Sequence, residues 1–241
     1  MNKKDYGETV IGIVGGMGSY ATLHFFRRIL DATPAEKEWD RPRVLIDNRC
    51  TMPSRVRAIL YKEERPRLVN LLADSVKHLL EAGATHIVLA CNTSHVFLDE
   101  VYEILPAAKG KVVHIIETAA EAMQRKNVTQ AGFVATEGTI QSGIFETVCR
   151  AHGISLFSPS ESDFTEMRYQ IEAVKRNTIT EEVCQRFVSL LQKQAQTFGV
   201  NDIILGCTEF PPIYEKAALL LADSGIRIWD PLEETLKKIL L

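Results

Sequence analysis

Short runs rich in valine and isoleucine alternate with longer amphipathic stretches along the chain, and this alternation is typical of parallel strands joined by helices. Eight such runs are found, and we interpret each as a strand. They read "VIGIVGG", "RVLID", "HIVLAC", "VVHII", "GFVAT", "ISLFS", "DIILGC" and "IRIWD". Because alternating strand and helix units fold around parallel sheets, the sequence predicts an α/β protein.

The eight units divide into two groups of four that repeat each other. Matched residues lie 120 positions apart at the start of each group and 116 positions apart around its third strand. The pairs are Gly12 and Gly132, Val14 and Val134, Gly18 and Gly138, Gly83 and Gly199, Ile87 and Ile203, Leu89 and Leu205, and Cys91 and Cys207. We therefore predict two pseudo-symmetric domains, at residues 1–115 and 116–225, with residues 226–241 returning to the first.

The repeat makes Cys91 and Cys207 equivalent positions at the carboxyl ends of two predicted strands. Open parallel sheets form their crevice at that edge. If the halves face each other about a pseudo-twofold axis, the two thiols lie on opposite sides of a molecule bound in the cleft. An isolated cysteine is more often a small buried apolar residue, and Cys149 and Cys184, within helical patterns, are interpreted in that way. The symmetry favours a functional role for Cys91 and Cys207.

Two opposed thiols can invert a stereocentre that bears an acidic C–H group, one acting as base and the other as acid. Both cysteines are predicted where a strand meets a helix N-terminus, a position that lowers a thiol pKa by favouring the anion. The backbone amides there, with Asn92, Thr93 and Thr208, are expected to hold a substrate carboxylate. Such chemistry requires no cofactor, and the sequence shows no motif that marks a pyridoxal phosphate site.

The glycine-rich segment "GIVGGMGSYAT" gives a competing interpretation, because Gly16 and Gly18 fit a loose dinucleotide fingerprint. Asp47 lies at the end of the second predicted strand, where such a site places an acidic residue. The matching segment of the second half, "GFVATEGTI", lacks the second glycine pair and carries Thr136 and Thr139 there. Hydroxyls and amides on both sides favour a small dicarboxylate, and a dinucleotide-binding module stays an alternative.

Composition restricts the partners of the chain. The formal net charge is −3 and opposite charges are interleaved, which indicates no basic face for nucleic acid. No run approaches the ~20 apolar residues of a membrane span, and the N-terminus has no apolar core of signal-peptide length. The 5 cysteines include no CxxC pair, and there is no histidine cluster. We expect reduced thiols, no metal site, and a cytoplasmic protein that acts on a small molecule.

Four segments together resemble the cofactor-independent aspartate/glutamate racemases. They are "GIVGGMGSYAT", "CNTSH", "ATEGTIQSG" and "GCTEFP", and the resemblance runs through nearly the whole chain. "GGMG" and "CNTSH" are similar to the aspartate branch, whereas glutamate racemases usually open with an Asp-Ser loop and carry histidine at the position of Glu209. The resemblance implies two flavodoxin-like domains with the active site between them, Cys91 and Cys207 as the acid/base pair, and a homodimer acting on aspartate, with glutamate as a second substrate.

The resemblance also implies how the substrate side chain is bound. Arg55 and Lys175 match family positions that engage the side-chain carboxylate, although exposed charges of this kind are ordinarily surface residues. The full set of expected substrate-binding residues is Met17, Arg55, Asn92, Thr93, Ser94, Thr136, Thr139, Lys175, Thr208 and Glu209. Arg49 and Cys50 depart from the family pattern, in which small residues are expected.

Other residues near the motifs receive structural interpretations. His95 is expected to open the helix "HVFLDEVYEIL" and to hydrogen-bond near Cys91 rather than transfer a proton. His86 is assigned a structural role, and Trp39 and Trp229 are assigned to packing or the surface. One further enzyme class stays open: a relative of the same fold that isomerises a double bond, as in maleate isomerisation, or decarboxylates a malonate with one cysteine.

Overall fold

A computed structural model describes residues 6–240 of the chain. Within that range the β-branched runs form seven strands, all paired in parallel. They are β1 (Val10–Gly15), β2 (Arg43–Asn48), β3 (His86–Leu89), β4 (Gln130–Val134), β5 (Ser155–Phe157), β6 (Asp202–Leu205) and β7 (Arg227–Trp229). The predicted α/β class is confirmed.

Eleven α-helices are described between and after the strands. They are α1 (Ser19–Ala32), α2 (Arg55–Leu60), α3 (Arg65–Glu81), α4 (Leu98–Ile104), α5 (Ile115–Arg125), α6 (Glu137–Ser142), α7 (Ile144–Ala151), α8 (Phe164–Lys175), α9 (Glu181–Phe198), α10 (Phe210–Leu221) and α11 (Pro231–Leu240). Short 3-10 helices lie at Glu38–Asp40, Asn92–Phe97, Pro106–Ala108 and Glu161–Asp163. None of the helices in residues 6–240 combines the length and the apolar character that crossing a bilayer requires.

The strands form two sheets, with the orders β2-β1-β3 and β5-β4-β6-β7. In both, the first strand of the half lies beside its second and third strands. The registers of the two sheets also match. Adding 120 to a residue number in β1 and 116 to its partner in β3 gives a residue pair between β4 and β6. The equivalent pairs are Gly12–Ile87 with Gly132–Ile203, and Val14–Leu89 with Val134–Leu205. The predicted internal repeat is thus present in three dimensions.

The fourth predicted strand, "VVHII", was wrong. Only Val112 pairs with the sheet, through an isolated bridge to Ile87, and α5 begins at Ile115. The His114 side chain accepts a hydrogen bond from the Glu117 N–H (3.2 Å), so the chain is capped into a helix before a strand can extend. The bridge to β3 is nevertheless the equivalent, in the first half, of the pairing between β7 and β6 in the second half.

Each sheet packs on its own helices, and a third apolar cluster joins the halves. That cluster contains Ile11 and Ile13 of β1 together with Phe133 of β4 and residues of α5 and α11. Helix α11 packs against α5 and α1. The boundaries at 115/116 and 225/226 remain predictions.

The residues interpreted as structural are placed accordingly. Cys149 in α7 and Cys184 in α9 are buried. Trp229 is buried, with its indole N–H donating to Asp202 (2.6 Å), whereas Trp39 lies on the surface. His86 begins β3.

Candidate active site

Cys91 and Cys207 each follow the third strand of their half by two residues, Cys91 after β3 and Cys207 after β6. Both are nearly inaccessible, with 7% and 6% of their surfaces exposed. The two strand ends contact each other directly, because the Thr208 hydroxyl donates a hydrogen bond to the carbonyl of Ala90 (3.1 Å). The carboxyl edges of the two sheets therefore meet with a buried thiol on either side, as predicted for the cleft.

Cys91 stands at the start of the 3-10 helix Asn92–Phe97, and a buried histidine holds this turn in place. His95 Nε2 accepts a hydrogen bond from the N–H of Ile115 (3.4 Å), so Nδ1 carries the proton and donates to the Cys91 carbonyl (3.1 Å). Burial lowers the pKa of His95 to about 3, and the ring is neutral. The expected hydrogen bond is present, but His95 lies inside the 3-10 helix, and α4 begins only at Leu98.

Cys207 has a carboxylate partner instead. Its thiol donates to Oε2 of Glu209 (2.8 Å), and Glu209 is itself only 3% exposed. Burial, reinforced by the charge of Glu209, raises the pKa of the Cys207 thiol well above its ordinary value, and burial also raises the pKa of Glu209. The predicted lowering of this thiol pKa was wrong, because the helix N-terminus acts in a site that excludes water and places a carboxylate against the sulfur.

Three hydroxyls connect the halves beside the thiols. Thr93, one residue beyond the start of the Cys91 turn, hydrogen-bonds with Thr139 (2.7 Å) and lies 3.4 Å from the Thr136 hydroxyl. Thr136 and Thr139 also bond to each other (2.8 Å), and Thr136 caps the N-terminus of α6. Hydroxyls can donate or accept, so this cluster can turn toward a carboxylate without a change of charge.

Several buried polar atoms at the same place have no protein partner among the described residues. They include both amide atoms of Asn92, Oε1 of Glu209 and Nε of Arg55. A buried polar atom without a partner costs free energy, and native proteins contain few of them. Three such residues at one cleft indicate a surface suited to a small, highly polar molecule.

The two predicted side-chain anchors both interact electrostatically with Glu209. Arg55 begins α2 and donates to the carbonyls of Met17 (2.7 Å) and Pro53 (2.9 Å). Lys175 ends α8, with its ammonium 3.0 Å from Glu172 and its side chain 41% exposed. Both cations favour the ionised form of Glu209, although burial prevails and keeps its pKa raised. The sequence reasoning missed Glu172, which the i,i+3 spacing on one helix could have indicated.

A chain of contacts thus brings the predicted site residues together. Ser94 completes it by donating to the Met17 sulfur (3.0 Å). Arg49 lies outside this chain, because its guanidinium pairs with Asp74 (2.7 Å) and Asp47 (3.6 Å). Cys50 is exposed and contacts Asn48 and Ser19 rather than the buried thiols.

The glycine loop is accounted for by packing. Gly16 has φ +80°, and a Cβ there would lie 2.4 Å from the carbonyl carbon of Arg49. Asp47, the acidic residue that the dinucleotide interpretation needs, is engaged with Arg49. In the part of the chain that the structure describes, no group of three or more His, Cys, Asp or Glu side chains is arranged to hold a metal ion.

Two repeated parallel-sheet halves, with a buried thiol and hydroxyls at each facing edge, define a class of two-domain α/β protein with its site between the domains. The sequence profile of the Asp/Glu/Hydantoin racemase family matches residues 14–239, and the chain belongs to that family. The aspartate racemase of Picrophilus torridus has a similar structure, at 27% identity and a TM-score of 0.79, covering 96% of this chain and 94% of that one.

Other similar proteins have names that indicate other specificities. A broad-specificity amino-acid racemase of Bacillus subtilis is 28% identical over 152 residues, which are 60% of this chain and 62% of that protein. The chain thus matches less than two thirds of the length of that relative. Glutamate racemase of Francisella tularensis, solved with D-glutamate, shares the fold at 20% identity and a TM-score of 0.66 over 96% of this chain and 80% of that one.

Proposed function

We propose that the chain is a racemase that needs no pyridoxal phosphate and interconverts L- and D-aspartate, with glutamate as a second substrate. One observation carries the proposal: Cys91 and Cys207 are equivalent by the repeat and are both buried where the carboxyl edges of the two sheets meet. A substrate between them presents one face of its α-carbon to each thiol. One thiol removes the α-proton while the other delivers a proton to the opposite face.

The environment of Cys207 supports different starting roles for the two thiols. Its proton is held by burial and by Glu209, so Cys207 starts as the acid. Cys91 then starts as the base in that direction, and the roles exchange for the other enantiomer. In the reverse direction Cys207 must lose its proton beside Glu209, and Arg55 and Lys175 offset the repulsion, since both face that carboxylate.

The polar residues at the cleft fit the two carboxylates of aspartate. We assign the α-carboxylate to the amide of Asn92 and to the hydroxyls of Thr93, Thr136 and Thr139, while the Thr208 hydroxyl, which donates to the Ala90 carbonyl, holds the two strand ends together beside them. Charge that develops on this carboxylate as the α-proton leaves is stabilised by donors already in place. Met17 and Ser94 form the wall behind them, and Arg55 and Lys175 take the side-chain carboxylate.

The direct test is incubation with L-aspartate without added cofactor, followed by chiral chromatography. We expect D-aspartate to accumulate to an equal mixture, because the enantiomers have equal free energies. Glutamate and alanine are measured in parallel to rank the side chains. If none of the three amino acids is converted to its opposite enantiomer, the proposal is overturned.

One observation favours a second candidate. Only Cys207 is paired with a carboxylate, and such asymmetry also suits an enzyme that protonates a single face, as in the isomerisation of maleate or the decarboxylation of a malonate. Turnover of maleate or a substituted malonate, without amino-acid racemisation, would support this alternative. Action in the cytoplasm as a homodimer stays a prediction.

We predict that aspartate formed in deuterium oxide carries deuterium at Cα from the first turnover, in both directions. The thiol on the product face is filled from solvent, whereas the substrate proton leaves on the other thiol. Mass spectrometry of the separated enantiomers measures the label, and a sample without enzyme corrects for spontaneous exchange. Product that keeps the substrate's own α-hydrogen would indicate a single base that reaches both faces.

We also predict that Cys207 reacts with iodoacetamide with a pH midpoint above the ordinary thiol pKa of about 8.5. Because burial and Glu209 raise this pKa, the reactive thiolate forms only as the pH rises through the higher value. Glu209→Gln removes the negative charge and is expected to lower the midpoint. Mass spectrometry follows each peptide, and Cys184, which is equally buried and is influenced by the charges of Lys216 and Glu181 rather than by Glu209, serves as the reference that the substitution leaves unchanged. A Cys207 midpoint at or below 8.5 in the wild type would contradict the assignment.

A further inference from the structure

The backbone conformation of Gly18 does not require a glycine. It caps the N-terminus of α1 with φ −127° and ψ 148°, an extended conformation that any residue adopts. Its carbonyl accepts hydrogen bonds from the N–H (3.0 Å) and the hydroxyl (2.8 Å) of Thr22. A side chain at position 18 would leave both bonds in place. The reason for a glycine must therefore lie in what packs against it.

The neighbour of Gly18 is the carboxylate that holds the Cys207 proton. A Cβ at Gly18 would lie 2.6 Å from Oε1 of Glu209 and 3.9 Å from Cγ of Lys175. Ordinary contact begins at 3.4 Å, so Oε1 would have to retreat by at least about 0.8 Å. Glu209 is buried and its Oε2 is 2.8 Å from the thiol, so moving one carboxylate oxygen also moves or turns the other.

We infer that Gly18 is a positioning residue for the acid/base pair: its bare backbone is the surface on which the Glu209 carboxylate rests, and this sets the approach of Glu209 to Cys207. The catalytic consequence rests on the proposed function, whereas the effect on the thiol does not. Gly18, the second glycine of the dinucleotide-like segment, therefore positions a carboxylate that holds the proton of a thiol in the other half of the molecule. Gly16, by contrast, serves the turn at Arg49.

The groups that face Cys207 define what Gly18→Ala should change. They are Glu209 and Cys91, which disfavour the Cys207 thiolate, and Lys175, which attracts it. Displacing the Glu209 carboxylate weakens the contact that most directly stabilises the thiol over the thiolate. Below its midpoint, Cys207 in Gly18→Ala should then be alkylated roughly tenfold faster, as one pKa unit would produce.

Two matched glycine substitutions separate positioning from general disturbance. Gly132→Ala, in β4, places its Cβ no closer than 3.5 Å to any neighbour and is expected to leave Cys207 unchanged. Gly15→Ala, at the end of β1 and three residues before Gly18, places its Cβ 2.5 Å from Thr22 and tests strain in this segment. We expect Gly15→Ala to lower thermal stability without speeding alkylation of Cys207. An equal rise in the alkylation rate of Cys207 in Gly15→Ala and Gly18→Ala would overturn the inference.

A double-mutant cycle with Glu209→Asp gives the second readout. In the wild-type background Gly18→Ala should lower kcat/KM for aspartate by about 100-fold, mainly through kcat, because it misplaces a group in the reacting centre by about 1 Å. The shorter Asp leaves room for a Cβ at position 18, so in that background Gly18→Ala should cost less than threefold. Additive losses would show that Gly18 does not act through Glu209.

The double-mutant cycle also tests the inference if Gly18→Ala fails to fold. If Gly18→Ala is insoluble because of the contact with Glu209, the double variant with Glu209→Asp should fold and melt cooperatively. A double variant that also fails to fold would overturn the inference. The alkylation readout needs no substrate, so it decides the role of Gly18 even if the racemase assignment is wrong.

Discussion

Replacing either Cys91 or Cys207 by serine is expected to reduce aspartate racemisation by at least about 100-fold while the protein folds normally. A serine hydroxyl is too weak an acid to share the proton transfers, and each direction of the reaction uses both groups. The two losses should be of similar size, since the repeat gives the thiols equivalent places. Chiral chromatography of the product measures the rate, and circular dichroism with thermal melting checks the fold.

Cys184→Ser is the matched control for this experiment. Cys184 is 6% exposed, as Cys207 is, but it lies in α9 within the apolar core of the second half. The substitution carries the same chemical change and a comparable burial cost without touching the cleft. Near-wild-type racemisation by Cys91→Ser or Cys207→Ser would exclude the two-base mechanism and indicate that a single base reaches both faces of the α-carbon.

The repeat predicted from the sequence is matched by the registers of the two sheets. The shifts that relate Gly12 to Gly132 and Ile87 to Ile203 describe which residues pair, because pairs that face one another in one parallel sheet face one another in its copy. The same argument placed both thiols at the carboxyl edges. It was wrong about the fourth strand of the first half, where only an isolated bridge at Val112 forms. There the hydrogen bond by which His114 caps α5 outweighs the β propensity of Val112 and its neighbours.

The electrostatics of the site could not be predicted in this way. The sequence places Cys207 before a helix, which favours the thiolate, but the outcome depends on water exclusion and on where the Glu209 carboxylate turns. The glycine loop was open to a dinucleotide interpretation for the same reason. The residue that explains Gly18 comes from the second half of the chain, and no local pattern reports that contact.

Aspartate should depend on Lys175 and Arg55 in a way that alanine does not. A charge-assisted contact to the side-chain carboxylate is worth about 1.5 to 3 kcal/mol, so Lys175→Met and Arg55→Met should each lower kcat/KM for aspartate by roughly 10- to 150-fold. Alanine has the α-centre but no side-chain carboxylate, so its slower racemisation should change little. Measuring both substrates with each variant separates side-chain recognition from proton transfer.

Each cation has a neighbour that serves as its control. Arg176→Met removes the charge next to Lys175, at a side chain that is 74% exposed, and Arg57→Met removes an exposed charge on α2 that pairs with Glu63. Both controls should leave the kinetics of aspartate unchanged. Lys175 is the cleaner probe, because Arg55 also donates to the carbonyls of Met17 and Pro53, and its loss disturbs that turn.

Equal losses on aspartate and alanine would give the two cations a different role. Both face Glu209, so removing either one would then act on the Glu209–Cys207 pair rather than on the substrate side chain. The pH midpoint of Cys207 alkylation decides between these cases. It should stay fixed if Lys175 only binds the substrate, and it should rise if Lys175 stabilises the thiolate, because removal of a cation disfavours the anion. Arg49 does not replace them as a side-chain anchor, since its guanidinium is bound to Asp74 and Asp47.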